Sequence, residues 1–330
     1  MNKLTKIGAT ALAGALVSFS ANAADWNVTG SASFTLNGYA EGERASTWSQ
    51  GDSVKITASG TTDSGINVSS MVEIDDAGGQ SGAFDDKMIS FGTDTLGTVQ
   101  FHGSGGSAIM GQFDDITPAA YEEVWDIGIQ GGGTNNNTDA ADSRINGSSS
   151  ASLFVYKSPV IAGAQLMAAM NTKAAAANDM YNDWGVKYSP EMVEGLTLYY
   201  AQGTTTAATV DTDESTIGLT YAYGPVTIGY QESESDVENS SNDDELEQYS
   251  IAYAINDNLS VSYGEREYDH NTGTASGDGS ETQKDSGFGV SYTMGGLSLG
   301  ASMNEHENNA GRTETSADFD SYEVTVSFAF

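Results

Sequence analysis

The 330-residue sequence contains no cysteine, which excludes a disulfide framework, a thiolate nucleophile and any metal site built on sulfur ligands. Basic residues are scarce: 12 Lys and Arg stand against 46 Asp and Glu, so the formal charge is 12 − 46 = −34. Such an excess of acid repels phosphate groups and excludes nucleic acid as a partner. From Ala24 onward no apolar run approaches 18 residues, so the sequence offers no candidate for a membrane-spanning helix.

Catalytic motifs are missing as well. The three histidines, His102, His270 and His306, lie far apart and form neither an HExxH motif nor a pair with the spacing of metal ligands. No serine and histidine are arranged as a nucleophile and its base. The sequence therefore predicts that the protein is not an enzyme, and it indicates no cofactor.

Hydrophobic residues make up 38% of the chain and aromatic residues 9%, which is too apolar for a disordered acidic tail. The mean hydropathy of −0.33 is in turn too polar for a bundle of membrane helices. A folded protein with many acidic groups on its surface remains.

The N-terminus has the pattern of a secretory signal peptide. Lys3 and Lys6 precede a short apolar stretch, residues 7–21, and Ala21-Asn22-Ala23 is a small-x-small cleavage site. We therefore predict that residues 1–23 are removed and that residues 24–330 form one domain outside the cytoplasm. Removing the two lysines gives the mature chain a charge of −34 − 2 = −36.

After this segment the dominant pattern has a period of two. In residues 26–36 the even positions are apolar or small, and Val54, Ile56 and Ala58 repeat the scheme. Because successive side chains of a β-strand point to opposite faces, each such segment has one apolar and one polar face. The pattern predicts sixteen strands, at about 26–40, 52–62, 65–75, 86–93, 98–103, 151–158, 163–171, 182–189, 195–203, 214–224, 225–233, 247–256, 258–268, 285–294, 296–304 and 320–330.

The connections between these strands alternate between short turns, such as 62–65 and 224–225, and long loops, such as 104–150. This alternation, with an even number of antiparallel strands, is typical of an outer-membrane β-barrel. Hydrocarbon provides no partner for a free strand edge, so the first strand must pair with the last. The last strand, 322–330, has apolar residues at its even positions, which should face lipid.

Several short motifs resemble those of Gram-negative general porins, particularly the Rhodobacter type from alphaproteobacteria. They are the turn sequence of residues 58–65, Tyr156-Lys157-Ser158-Pro159 with Gly163 beyond and Arg144 upstream, and the C-terminal Phe330. The resemblance covers essentially the whole mature chain. It implies a homotrimer of water-filled barrels in the outer membrane, in contact with lipid and lipopolysaccharide, with a long third loop that folds inward and narrows each pore.

The third loop, residues 104–150, is the longest connection, and a loop of this length is usually functional or disordered. Carboxylates in a narrow channel attract cations and oppose anions. We therefore predict a cation-preferring constriction, with Lys55, on the polar face of its strand, as the base on the facing wall. The alternative is a solvated acidic loop outside the barrel. The acids predicted to face the passing solute are Asp114, Asp115, Glu122, Glu123 and Asp126.

A second acidic region contains eight acids and no base between Glu232 and Glu247. It lacks the glycine and the ligand alternation of an EF-hand. Divalent cations such as calcium could still gather there and bridge to lipopolysaccharide phosphates, although solvated repulsion is the more ordinary outcome.

The function favoured by the sequence is passive diffusion of small hydrophilic solutes and ions. A substrate-specific channel, for example for sugars, shares this architecture and stays open as an alternative. A secreted structural β-protein is a further alternative, but it leaves the lipid-facing stripes without an explanation. A pore should stay with outer membranes during a high-salt wash, whereas a secreted adhesive protein should be released.

Overall fold

The computed structural model describes residues 25–39, 46–75, 84–125, 145–147, 149–150, 152–171, 180–207, 210–239, 243–269, 281–311 and 317–330. The segment predicted as a signal peptide, residues 1–23, lies outside these ranges. In the part of the chain that the structure describes, no helix is both long enough and apolar enough to cross a membrane.

Strands dominate the described residues, and only two short helical turns accompany them: α1 (Ile109–Gln112) and a 3₁₀ turn (Asn309–Gly311). The strands are β1 (Asp25–Tyr39), β2 (Thr47–Thr61), β3 (Asn67–Asp75), β4 (Lys87–Thr93), β5 (Gly97–Ser104), β6 (Gly106–Ser107), β7 (Ser149–Ser150), β8 (Leu153–Lys157), β9 (Ala164–Asn171), β10 (Met180–Tyr188), β11 (Leu196–Thr206), β12 (Asp211–Tyr223), β13 (Val226–Val237), β14 (Asp244–Asn256), β15 (Leu259–Asp269), β16 (Thr282–Met294), β17 (Leu297–Glu307) and β18 (Phe319–Ala329).

Sixteen of these strands form one closed antiparallel barrel in the order β1-β18-β17-β16-β15-β14-β13-β12-β11-β10-β9-β8-β5-β4-β3-β2. The two remaining strands, β6 and β7, pair only with each other. The predicted closure is confirmed, because β1 pairs with β18 and the amide N of Gly30 donates to the carbonyl O of Phe330 at 2.8 Å. All sixteen predicted strands are present.

The two faces of the wall differ as the alternation predicts. On β18, Val324 and Val326 point outward and are 46% and 37% exposed, whereas Glu323 and Thr325 point inward and are 6% and 7% exposed. Thr35 on β1 continues the inward face, since its hydroxyl lies 2.7 Å from that of Thr325. The outer face is therefore apolar and the inner face polar, which suits a barrel that is surrounded by lipid and filled with water.

An arginine at Val324 should impair barrel assembly far more than an arginine at Ser327, which lies on the inner face of the same strand. A cationic side chain on the lipid-facing side costs about 2–4 kcal/mol at the bilayer midplane, whereas an inward side chain stays in water. Resistance of the folded barrel to unfolding in urea, with the protein in lipid vesicles, measures the difference. Equal destabilisation by Val324→Arg and Ser327→Arg would contradict the assignment of faces.

The sequence-based strand ends need correction on the side of the long loops. The predicted strands 225–233 and 247–256 are observed as β13 and β14, which continue to Val237 and begin at Asp244. The acidic region from Glu232 to Glu247, most of which falls between these two predicted strands, is thus largely part of a β-ladder, where Glu232 stands opposite Glu247 and Glu234 opposite Glu245. The backbone ladder continues beyond the apolar band because backbone pairing does not require apolar side chains.

These acids also lie on the outside of the barrel. Gln231 and Ser233 are 0% and 2% exposed on the inner face of β13, so Glu232 and Glu234 between and beyond them point outward. On the outer face, tyrosines occupy the positions next to these acids on the side of the short turns. On β15, for example, the hydroxyl of Tyr263 donates to Glu265 at 2.6 Å. The acidic region therefore forms an outer edge above aromatic residues and is not part of the channel lining.

Candidate functional site

The third loop, residues 104–150, turns back against the inner wall directly after β5. Ala108, Ile109 and Met110, at the start of α1, are 0% exposed. Residues 104–125 are described, as are 145–147 and 149–150, and β6 and β7 join the two limbs of the loop at its base. Asp126 and Arg144 lie outside the described residues.

A carboxylate on the barrel wall holds the beginning of α1. Asp183 on β10 is 4% exposed, and its Oδ2 accepts a hydrogen bond of 2.8 Å from the amide N of Met110. The hydroxyl of Tyr181 lies 3.3 Å from the same oxygen. The acid is buried because it satisfies backbone N–H groups that the short helix leaves without partners.

Glycines on the inner wall allow the loop to lie directly against the barrel backbone. A Cβ atom at Gly218 would come within 2.4 Å of Ile116, and a Cβ atom at Gly300 would come within 2.1 Å of the Tyr121 ring. Any larger residue at these positions would push the loop into the lumen. The glycines that the loop covers in this way are Gly185, Gly218, Gly229, Gly264 and Gly300, on β10, β12, β13, β15 and β17.

Gln231 on β13 is the central polar anchor of the loop. Its side-chain amide donates to the carbonyl oxygens of Phe113 at 2.6 Å and Asp114 at 3.1 Å. Its Oε1 accepts from the amide N of Ile116 at 3.1 Å and from Nε2 of Gln248 at 2.9 Å. Because Gln231 is fully buried, these bonds have no competition from water.

The next residues of the loop are anchored one strand after another. The hydroxyl of Ser250 on β14 donates to the carbonyl oxygen of Pro118 at 2.7 Å, and Ser262 Oγ on β15 accepts from the amide N of Ala120 at 2.9 Å. The loop thus follows the inner circumference of the barrel.

Tyr121 carries the loop to the last strand. Its hydroxyl donates to the carboxylate of Glu323 on β18, and Thr325 Oγ1 lies 2.6 Å from the same hydroxyl oxygen. Burial, followed by the bond to Glu323, raises the pKa of Tyr121 above its usual value, so the hydroxyl keeps its proton and serves as a donor. The described part of the loop therefore spans the wall from β10 to β18.

A buried ionic cluster receives Trp125, the last described residue of this limb. The indole ring packs against the Arg266 guanidinium, whose Cζ lies 5.3 Å from the ring centroid. Arg266 forms a 2.8 Å ion pair with Asp285, and Asp285 also contacts Nδ1 of His306 at 2.7 Å. His306 is therefore part of a structural network, and the structure places it among wall residues that position the loop.

The predicted acids are distributed unevenly along the loop. Asp114, Glu122 and Glu123 are partly exposed inside the barrel. Asp115 is turned toward Glu123, with which it shares a hydrogen bond, and Thr117 donates to its Oδ1 at 3.3 Å. Burial, the bond to Glu123 and the nearby negative charges raise the pKa of Asp115 to about 9, so this acid holds a proton at neutral pH.

Lys55 lies where its predicted parity puts it, on the inner face of β2, in register with Thr29 on β1 and Glu73 on β3. Its Nζ forms a 3.0 Å ion pair with Glu73. The charge of Lys55 is therefore balanced on its own wall, which the sequence pattern did not indicate.

Among the described residues, three inward-facing bases were missed from the sequence: Arg266 on β15, Lys157 at the end of β8 and Lys187 near the end of β10. Lys157 follows the buried Leu153 and Val155 on alternate positions, and Lys187 shares the face of Asp183. Parity could not identify Lys157 because β8 is apolar on both faces, with Phe154 and Tyr156 exposed to the outside. For Lys187, the sequence did contain a signal: Lys187 and Asp183 are four residues apart on one strand and therefore lie on the same polar face.

Metal ligation is not indicated within the described ranges, where no group of three or more His, Asp or Glu residues could hold an ion. A calcium ion at the acidic outer edge of β13 and β14 stays a prediction, as does the absence of any other cofactor.

Comparison with known proteins places these features in context. A family model described as Gram-negative porin matches residues 8–283. None of the curated protein sequences is similar enough to count as a match.

Several solved structures have the same fold at low identity. The anion-selective porin from Comamonas acidovorans is 13% identical, with a TM-score of 0.65 over 93% of this chain and 100% of its own. The trimer form of OmpT from Vibrio cholerae is 14% identical, with a TM-score of 0.66 over 94% and 100%. A mutant of Rh. blastica porin is 16% identical, with a TM-score of 0.62 over 93% and 100%.

Proposed function

Because the chain belongs to the Gram-negative porin family and forms an outer-membrane channel, we propose that it passes small hydrophilic solutes and ions by passive diffusion, with a preference for cations. One observation carries the proposed preference: the acids of the third loop lie inside the barrel, on a segment anchored to the wall over its described length. Fixed carboxylates in a narrow channel lower the energy of a cation and raise that of an anion.

The wall away from the loop provides little opposing charge. Lys55 is paired with Glu73 at 3.0 Å, and nearer the short turns the same wall carries hydroxyl residues such as Ser69 and Ser90, whose oxygens lie 2.6 Å apart. A wall of hydroxyl groups interacts with water and with uncharged polar solutes without selecting a sign of charge. The carboxylates of the third loop therefore dominate the electrostatic field in the part of the pore that the loop crosses.

Fold similarity does not decide this preference. The porin from Comamonas acidovorans is described as anion-selective, although its barrel superposes on this chain. Selectivity depends on the charges that line the lumen, and the present chain has a net charge of −34 before removal of its predicted signal peptide.

The proposal includes assembly as a homotrimer whose outer edge contacts lipopolysaccharide. A trimer form is recorded for OmpT of Vibrio cholerae, and Glu232 and Glu247 point outward above aromatic residues, where divalent cations would bridge them to lipopolysaccharide phosphates. Mass measurement of the detergent-extracted complex tests the trimer, and a monomer as the main species would contradict it.

Single-channel recording in planar bilayers tests the proposed function. Under a KCl gradient, the reversal potential should have the sign of a potassium-preferring pore. Its magnitude should fall as salt rises, since the Debye length shortens from about 30 Å at 0.01 M to about 3 Å at 1 M. A chloride-preferring reversal potential would refute the cation preference, and the absence of any conductance would refute the channel function.

Potassium preference should also rise as the pH is raised from 7 through about 9. The pKa of Asp115 is raised to about 9, so its hydrogen bond to Glu123 is fully present at low pH and is lost as the pH passes that value. Ionisation adds one negative charge to the loop and makes two adjacent carboxylates repel each other. Reversal potentials recorded at several pH values measure the change.

Asp115→Asn is the matched control for this prediction, because the amide can donate to Glu123 but cannot ionise. Any pH response that remains in Asp115→Asn belongs to groups other than Asp115. An identical response in the wild type and in Asp115→Asn would show that Asp115 does not titrate in this range.

A further inference from the structure

Lys157 and Lys187 lie on the inner wall at the end of the barrel that carries the short turns. Lys157 is the last residue of β8, and Ser158 and the residues up to Gly163 then lead to β9. Lys187 is the second-last residue of β10, before the turn that leads to β11. In outer-membrane barrels the short turns are periplasmic, so both lysines lie at the periplasmic mouth.

No carboxylate of the described residues lies within 4.0 Å of the ammonium group of Lys157 or Lys187. Other bases on the barrel differ: Lys55 pairs with Glu73 at 3.0 Å, Arg266 with Asp285 at 2.8 Å and Lys284 with Glu267 at 2.9 Å. In a chain with such an excess of acid, two inward lysines without a carboxylate partner are a distinct feature.

Only β9 separates the two lysines, since its Met167 stands in register with Lys157 and its Gln165 with Lys187, and two like charges on neighbouring positions of one wall repel each other. Lys157 is partly buried, and the Nζ of Lys187 lies 5.5 Å from the centroid of the Tyr199 ring, a cation–π contact that holds the ammonium group on the inner wall. An anion placed between the two strands would relieve the repulsion. The arrangement therefore favours binding of a negatively charged solute.

Neutral polar groups surround the pair. Gln165 on β9, the strand between them, stands in register with Lys187, and its Nε2 donates to the carbonyl oxygen of Ser158 at 3.0 Å. Thr98 on β5 stands in register with Lys157. These amide and hydroxyl groups can donate hydrogen bonds to oxyanions, in addition to the three donors of each ammonium.

We propose that Lys157 and Lys187 form an anion subsite at the periplasmic mouth that binds compact oxyanions, of which inorganic phosphate is the simplest. This inference rests on the proposed channel function but not on its cation preference. The lumen then has two electrostatic levels, with acids on the third loop and a pair of cations nearer the short turns. A phosphate ion held at the pair reduces the current of the smaller ions that pass it.

The test is a bilayer recording in KCl with inorganic phosphate added to one side at a time. Phosphate on the short-turn side should reduce the wild-type current. The Lys157→Gln, Lys187→Gln double variant should bind phosphate at least about tenfold more weakly than the wild type, because it lacks two charged donors. Each single variant should show an intermediate response. Unaltered phosphate sensitivity in the double variant would overturn the proposal.

Lys284→Gln is the matched control, since Lys284 is an exposed lysine on the outer face of β16, where it pairs with Glu267. It should keep the phosphate response of the wild type. Conductance of the double variant in KCl alone shows that its barrel is folded. If the wild type conducts but phosphate has no effect, the subsite fails and the channel function stands; if the wild type does not conduct, the channel function itself fails.

Discussion

Neutralising Asp114 and Glu122 together, as Asp114→Asn and Glu122→Gln, should lower the potassium preference of the channel by about fivefold at low salt. Each charge at ~8 Å from a passing ion contributes about 0.5 kcal/mol in a water-filled pore, which corresponds to roughly a 2.3-fold change in potassium permeability for each residue and about fivefold for the two together. The reversal potential under a KCl gradient measures the ratio. Glu123 is left unchanged because it shares a hydrogen bond with Asp115.

The matched control removes two charges from the outer face, as Glu234→Gln and Glu247→Gln. Both residues are exposed on the outward sides of β13 and β14, so the net charge changes by the same amount while the channel lining is conserved. Solvent and salt screen these distant positions. A larger shift of the reversal potential in this control than in the loop variant would place the selective charges outside the pore.

Gln231→Leu should release the third loop and give a larger and noisier single-channel current. The substitution leaves the amide N of Ile116 and the carbonyl oxygen of Phe113 without their partner, and each buried group left in this way costs about 1–3 kcal/mol. Leucine has a similar size but cannot accept or donate. Single-channel conductance and current noise in symmetric KCl measure the release.

Gln202→Leu provides the control, because Gln202 is exposed on β11 and takes no part in anchoring the loop. Gly300→Leu tests the same loop from its other end, where a Cβ atom would come within 2.1 Å of the Tyr121 ring. Both loop variants should alter the current while the barrel keeps its resistance to urea. Wild-type conductance and noise in Gln231→Leu would show that the loop does not narrow the pore.

The barrel itself was predictable from the sequence. Strand faces follow from alternation within a few residues, and the orientation of the strands follows from the lengths of their connections. Both are local properties, and the absence of hydrogen-bond partners in lipid then requires closure of β1 on β18. The strand ends at the acidic edge were less accurate, because nothing in a polar sequence marks where a backbone ladder stops.

The wall residues against which the third loop packs were not predictable from the local sequence pattern. Gly218 and Gly300 look like any other small residues on a polar face, and only the fold shows that Ile116 and Tyr121 cover them. Gln231 is likewise one of many polar residues on inward positions. Its role depends on a loop more than 110 residues earlier in the chain, so no window of sequence contains both partners.

For the charges that line the lumen, too, part was determined by the sequence and part only by the tertiary structure. The sequence alone determined that the protein is acidic, that its strands alternate, and that the third loop is rich in carboxylates. Only the tertiary structure decided that Asp115 shares its proton with Glu123, that Lys55 is paired with Glu73, and that Lys157 and Lys187 have no described carboxylate partner. The physical reason is that composition and periodicity are properties of neighbouring residues, whereas the charge that an ion meets depends on burial and on pairs formed across strands.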